Sequence, residues 1–328
     1  MRVVLCYPIE HRHYDQIVTA CPPGTEVIDA GQERIAAELP GADILCGHAK
    51  VPVHWPEVVR GGRLKWIQSS AAGLDHCLVP EVIASTIQVT SASGLFADQV
   101  AEQTMALLLG LLRGLPKFFR AAQKKEFIRR PTLDLHGSTV GIVGLGGNGT
   151  RIAQVLRPFK TRIIATDMFP GEIDISSGLV ETIWPADRLD DLLTQSDIVI
   201  LCVPLNAQTR HMIAASQFAR MKKGSLLINV ARGEVVQEPD LVASLSAGHL
   251  AGAGLDVTEV EPLPATSPLW ELPNVIITPH VGAQSRRRAD DTTNLICENL
   301  RRYFSGQKLL NLVDKTRGYP TPAARRGE

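Results

Sequence analysis

The chain has 328 residues, room for two domains at roughly 100–200 residues each. Lys plus Arg and Asp plus Glu number 34 each, so the formal charge is zero, which excludes the basic footprint of a dedicated nucleic-acid binder or a polybasic membrane-surface protein. With 45% hydrophobic and 21% charged residues, the composition is globular, and the chain is long enough to bury a core without disulfides or structural metal.

Residues 1–96 read as short strands alternating with helical or irregular segments. Strands are expected at 3–6, 26–29, 43–46, 65–69 and 87–90, each a brief apolar run bounded by turn residues. A long helix follows over 97–113. Its Val100, Met105, Leu108, Leu109 and Leu112 cover a wider face than one core-facing stripe needs, which marks it for packing between domains or subunits. From Ser138 the rhythm is stricter, with apolar runs at 139–145, 162–167, 197–204, 225–231, 252–257 and 274–280. Helix-compatible segments lie between, at 150–159, 188–195 and 238–247. Continuous Val/Ile/Leu runs rather than alternation mean strands covered on both faces, and this spacing implies a parallel, doubly wound α/β sheet. A further helix is expected over 285–304, and the tail 320–328 is expected to fray.

The longest apolar stretch, 105–112, is too short to span a membrane, and the N-terminal apolar run is too short for a signal peptide. Six cysteines without a C-x-x-C pair read as small buried hydrophobes in a reducing compartment, so a cytoplasmic protein is expected. The histidines show no metal-ligand spacing, so no metal is expected. The run Arg286-Arg287-Arg288 reads as a solvated face, and Trp270 as core or an interface anchor.

Gly144, Gly146 and Gly149 form G-x-G-x-x-G where a strand expected to end feeds a helix expected to begin, the context that gives this motif its meaning. Gly144 allows the tight turn, Gly146 lets backbone approach a pyrophosphate, and Gly149 lets the helix pack on the strand. The helix N-terminus then offers N–H groups to phosphates. Asp167 closes the second strand, 23 residues past Gly144, where a carboxylate accepts hydrogen bonds from ribose hydroxyls and repels a 2′-phosphate. Met168-Phe169-Pro170 supply no arginine to receive that phosphate, so NAD is expected over NADP. Three residues lie at or beyond the C-terminal ends of expected strands: Arg232, an anion clamp; His280, a general acid/base; and Glu261, a carboxylate to orient it.

These segments resemble the D-isomer-specific 2-hydroxyacid dehydrogenase family over nearly the whole chain. Besides the glycine loop, Asn229-Val230-Ala231-Arg232-Gly233, Gly254-Leu255-Asp256-Val257 with Glu261-Pro262-Leu263-Pro264, and Thr278-Pro279-His280 match its signature regions in order. So do Ser70-Ala71-Ala72-Gly73-Leu74-Asp75 and Val100-Ala101-Glu102-Gln103-Thr104. The resemblance implies a Rossmann-type NAD domain over 97–284. A smaller flavodoxin-like substrate domain would be built from 1–96 and 285–328. It implies that Arg232 holds the substrate carboxylate and carbonyl oxygen, joined by backbone N–H groups of Ala72 and Gly73, with substrate in the cleft between the lobes. His280 would move the proton, and Glu261 would fix its tautomer and favour its protonated form. Thr104, Val203, Pro204, Thr209, Val230, Ala231, Asp256 and Gly282 would line the cofactor site with Gly147, Asn148, Arg232 and His280. His48, with Ala49 and Lys50, falls in the family's substrate loop.

Gly147-Asn148 stand where many relatives carry arginine and a branched residue, so weaker NAD binding is expected. Glu261 stands where the formate dehydrogenase branch has glutamine, which disfavours formate. No regulatory domain is expected after about residue 312, unlike long phosphoglycerate dehydrogenases. The expected activity is NAD-dependent interconversion of a small 2-oxo acid and a D-2-hydroxy acid, glyoxylate and hydroxypyruvate first, by a homodimer whose contact is the helix 97–113. Two alternatives are a same-fold oxidoreductase acting on another donor, such as phosphite, and a non-enzymatic NAD-sensing adaptor.

Overall fold

In β1 (Arg2–Cys6), Val3 and Leu5 face one core while Val4 and Cys6 face another, so the strand is covered on both sides. The computed structural model describes residues 1–172 and 178–327. The chain divides into two units, Met1–Phe96 with Ser285–Glu328, and Ala97–Gln284. In the first unit β2 (Glu26–Asp29), β3 (Ile44–Gly47), β4 (Trp66–Gln68) and β5 (Gln88–Thr90) join β1 in an all-parallel sheet of order β2-β1-β3-β4-β5, the flavodoxin-like arrangement. Between the strands run α1 (His11–Ala20), α2 (Gly31–Glu38), α3 (Trp55–Arg60) and α4 (Pro80–Ala84).

The second unit opens with α5 (Ala97–Leu112) and α6 (Leu115–Gln123). There follow β6 (Thr139–Val143), α7 (Gly147–Leu156), β7 (Arg162–Asp167), β8 (Thr182–Pro185), α8 (Leu189–Gln195), β9 (Ile198–Leu201) and α9 (Ala215–Arg220). The unit closes with β10 (Leu226–Asn229), α10 (Glu238–Ser246), β11 (Gly252–Leu255) and β12 (Val275–Ile277). Its parallel sheet has the order β12-β11-β10-β9-β6-β7-β8. Counted within the unit, this is the Rossmann order extended by one strand, and the order reverses between β6 and β9, where doubly wound sheets bind ligands. Among the described residues seven strands replace the six expected, the addition being the edge strand β8.

Most of the apolar surface of α5 is buried inside its own unit, while Leu109 and Leu111 are only partly buried. Val100, Ala101, Met105, Leu107, Leu108 and Leu112 are all buried in one core with Val140, Ile142 and Ile228. The approach is close because glycines stand on both sides of the contact, Gly254 in the sheet and Gly110 in the helix. A β carbon on Gly254 would lie 2.9 Å from Leu107 Cβ, and one on Gly110 would lie 2.8 Å from Ile276 Cδ1.

The chain then returns to the first unit as α11 (Arg288–Phe304), β13 (Val313–Asp314), β14 (Tyr319–Pro320) and α12 (Pro322–Arg326). Ile296, Cys297 and Leu300 of α11 share a core with Val3, Leu5, Ile17 and Trp66. Two expectations change here. The Arg288 guanidinium lies 4.4 Å from the centre of the Phe96 ring, and burial lowers its pKa, so this member of the arginine run is half-buried and not part of a fully solvated face. The tail forms α12, capped by Thr321 Oγ1 accepting from Ala324 N at 3.2 Å, instead of fraying; Glu328 lies outside the described residues.

All six cysteines are free, and burial pushes the Cys6 and Cys202 thiols up to about 12 and Cys21 to about 11, which makes them inert. Among the described residues no helix is long and apolar enough to cross a membrane, and no cluster could hold a metal ion.

Candidate active site

The glycine loop leaves β6 at the switch point. Gly144 has φ +92, its N–H donates to Thr166 O at 2.8 Å, and a β carbon there would press 3.0 Å from Cys202 O and Val203 Cγ1. Gly149 is tighter still, since a β carbon would fall 2.1 Å from Gly144 O. Gly146 precedes α7, and among the described residues no side chain caps that helix. Its first-turn N–H groups, at Gly147, Asn148 and Gly149, face the loop with the partial positive charge of the helix end. Asp167 ends β7 beside this loop: Oδ2 accepts from Leu145 N at 2.7 Å and Oδ1 from Phe169 N at 2.9 Å. An ionised carboxylate has about four lone-pair sites, so two remain.

Arg232 follows β10 on a segment held by Asn229, whose Nδ2 donates to Arg232 O at 3.0 Å and whose Oδ1 accepts from Ala231 N at 3.0 Å. Glu261 follows β11. Its Oε2 accepts from His280 Nδ1 at 2.9 Å and its Oε1 from Thr258 N at 3.2 Å. Burial pushes the Glu261 carboxyl up, but the His280 hydrogen bond and charge, the Thr258 N–H and the charge of Arg232 together outweigh it, leaving the pKa below the ordinary carboxylate value. The three side chains therefore form one electrostatic group.

His280 stands just past β12 with φ +54, a left-handed backbone that a non-glycine residue adopts at a cost. Asp256 compels it. The Asp256 carbonyl accepts from His280 N at 2.8 Å, while Oδ1 accepts from Val281 N at 3.0 Å and Thr278 Oγ1 at 2.7 Å, and Oδ2 from Gly282 N at 2.8 Å. Gln103 on α5 completes the arrangement by donating to Thr278 Oγ1 at 2.7 Å. With Nδ1 engaged by Glu261, the half-exposed imidazole has Nε2 left for proton transfer.

Residues 105–282 match the model of the D-isomer specific 2-hydroxyacid dehydrogenase NAD-binding domain. The chain belongs to the D-isomer specific 2-hydroxyacid dehydrogenase family. It is therefore an oxidoreductase with a Rossmann NAD-binding domain. The chain is 37% identical over 263 residues to the glyoxylate reductase of Thermofilum pendens, covering 77% of this chain and 75% of that one. A family member from Xanthobacter autotrophicus, solved with NADPH and MES, superposes with a TM-score of 0.81 at 29% identity, over 97% of this chain and 99% of that one. The NADPH-dependent glyoxylate/hydroxypyruvate reductase of Sinorhizobium meliloti, solved with NADP and sulfate, gives 0.79 at 29% identity, again over 97% and 99%.

The remaining residues that family resemblance singles out are distributed unevenly. Val203 and Pro204 follow β9, and Val230 and Ala231 follow β10, all beyond the C-terminal ends of the central strands. Thr209 closes a turn, its Oγ1 donating to Pro204 O at 2.7 Å. Two side chains are committed elsewhere. Thr104 is fully buried with Oγ1 donating to Val100 O at 2.7 Å, and the buried Asp256 carboxylate is occupied by the His280 segment. In the first unit, Ala72 and Gly73 lie on the loop after β4, and His48 stacks on His76 with ring centres 3.8 Å apart. Trp270 is 48% exposed, with Nε1 donating to Pro264 O at 3.0 Å. Sequence reasoning missed Gln103 and Asn229 as supports. Both stand inside motifs that were recognised, so their amides were the available signal.

Proposed function

We propose that the protein interconverts a small 2-oxo acid and the corresponding D-2-hydroxy acid with NAD(H), glyoxylate and hydroxypyruvate being the first candidates. The observation that carries the reading is the His280 Nδ1–Glu261 Oε2 bond of 2.9 Å within reach of the Arg232 charge. The glycine loop fits a dinucleotide, because Gly144 and Gly149 leave no room for a β carbon and Asp167 stands at the loop. Bound there, a nicotinamide dinucleotide supplies the hydride.

Arg232 suits the substrate end of the reaction, since a planar guanidinium can hold two oxygens, one of the carboxylate and one of the carbonyl. His280 Nε2 gives its proton to the carbonyl oxygen in reduction and takes it back in oxidation. Glu261 keeps the other ring proton on Nδ1, so Nε2 is the atom that exchanges, and it balances the imidazolium charge.

Asp167 supports NAD over NADP. Its carboxylate would repel a 2′-phosphate, and Met168-Phe169-Pro170 offer no cation, even though the two solved relatives above hold NADPH and NADP. A homodimer is part of the same reading, with its contact on α5 and extended by the segment after it. Leu115, Phe119, Phe127, Ile128 and Leu133 are exposed there, beside a cavity of about 640 Å³ lined in part by Leu111, Phe118 and Ile128. Six free thiols suit the reducing cytoplasm.

The test is NADH oxidation by the purified protein against a panel of 2-oxo acids, with NADPH in parallel. Turnover on glyoxylate, hydroxypyruvate or a bulkier 2-oxo acid, faster with NADH, is the expected result. Silence on the whole panel with NADH still bound would remove the substrate class.

A further inference from the structure

His211 lies outside the reacting set, yet it touches both segments that carry it. Its backbone N–H donates to Glu234 O at 2.7 Å, two residues past Arg232, and its Nε2 donates to Glu259 Oε1 at 2.7 Å, two residues before Glu261. The backbone of His211 is left-handed, φ +53, so its position is imposed by these contacts and not by its own preference.

The Glu259 end is anchored as firmly. Glu259 Oε2 accepts from Glu238 N at 3.0 Å, and its own N–H donates to Glu238 Oε2 at 3.2 Å, which ties the loop to the first turn of α10. Between the two segments there is only backbone, since a β carbon on Gly233 would fall 1.9 Å from the carbonyl of Thr258. Thr258 in turn gives its N–H to Glu261 Oε1. A movement of 258–261 away from Gly233 would therefore carry Glu261 off His280.

We infer that the His211–Glu259 pair is a positioning device that clamps the Glu261 loop onto the Arg232 segment and so keeps the Glu261 carboxylate on His280 Nδ1. This rests on the reading of Arg232, Glu261 and His280 as the reacting set. The clamp works by reach more than by charge. A neutral imidazole protonated on Nε2 makes the same bond, so another N–H donor of similar length restores it.

Asparagine at position 211 tolerates the left-handed backbone but is too short to reach Glu259, whereas glutamine offers an amide N–H at nearly the right distance. His211→Asn and His211→Gln are compared with wild type by imidazole nitrogen spectra of histidine-labelled protein. The His280 signals are assigned by their loss in His280→Asn. Steady-state turnover on the best 2-oxo acid is measured beside them. In His211→Asn, the His280 ring is expected to lose its single Nδ1–H form. In the same variant kcat falls about 10–100-fold, with KM for the 2-oxo acid within about threefold. His211→Gln is expected to recover most of both readouts.

If His211→Asn does not fold, His211→Gly keeps the left-handed backbone without steric cost and removes the donor, and the same two readouts apply. An unchanged His280 spectrum in the folded variant overturns the clamp. A changed spectrum in a protein whose wild type turns over no 2-oxo acid keeps the clamp and removes the reaction instead.

Discussion

Glu261→Gln isolates what the carboxylate does for His280. The amide keeps an oxygen for the Thr258 N–H but places an NH2 where Oε2 now meets Nδ1 at 2.9 Å. That NH2 selects the ring form with its proton on Nε2 and leaves the imidazolium without a partner. Hydrogen bonds to charged groups contribute about 1.5–3 kcal/mol against about 0.5–1.5 for neutral ones, so ~1–2 kcal/mol is lost. That is roughly 5–30-fold in kcat. The two side chains are 45% and 39% exposed, so solvent screens the pair and stability changes by only ~0–1 kcal/mol. The folded pKa of Glu261 is depressed, so its support is present above the ordinary glutamate value, about 4.3, and is lost as pH falls through the lower folded value. Steady-state NADH oxidation from pH 5 to 9, with thermal melts alongside, should show kcat lower across this whole range, KM for the 2-oxo acid within about threefold and Tm nearly unchanged. Wild-type kcat in the variant would refute the assignment, and a collapsed Tm would make Glu261 structural.

Arg232→Ala removes up to two charge-assisted bonds to substrate, so kcat/KM for the 2-oxo acid should fall at least ~100-fold while NADH binding, followed by fluorescence, persists; unchanged turnover excludes Arg232 from the site. His280→Asn should lower kcat about 10²–10⁴-fold and leave the far-UV spectrum and melting curve in place. Asp167→Ala should narrow the preference for NADH over NADPH about tenfold or more, and an unaltered cofactor ratio contradicts the ribose role. Gly149→Ala must displace the Gly144 carbonyl that would lie 2.1 Å away, so NADH affinity should drop about tenfold; equal affinity by titration would show that the loop yields without cost.

The parallel strands with Val/Ile/Leu runs were legible because burial on both faces removes any need for polar alternation. The strand β8 was not. Thr182-Ile183-Trp184-Pro185 lies at the sheet edge, half-buried, too short to show a period and closed by a proline that only an edge tolerates. The helix α6 was missed for a related reason: Pro116 after the left-handed Gly114 reads as a turn, and Phe119 stands exposed where a core stripe would be sought. Several expected strands ran on past the real ones. The run 274–280 continues beyond Ile277 because Thr278, Pro279 and His280 leave the sheet to build the site, and an apolar pattern cannot mark where pairing stops. In the site, the charged residues announced themselves by type and place. The commitments of Asp256 and Thr104, and the reach of His211, depend on which atoms lie opposite them in space.

Asp256 accepts from three successive amides, those of His280, Val281 and Gly282, in a stretch that reaches the surface at His280. Amide protons on such a stretch ordinarily exchange with solvent in moments, but here opening would strand a buried carboxylate. These three should exchange as slowly as the neighbouring core strands. If His280 is the proton donor proposed above, the entropy of ordering it is lost when the chain folds and is not charged against each turnover. On the proposed reading, substrate would meet an imidazole already in place.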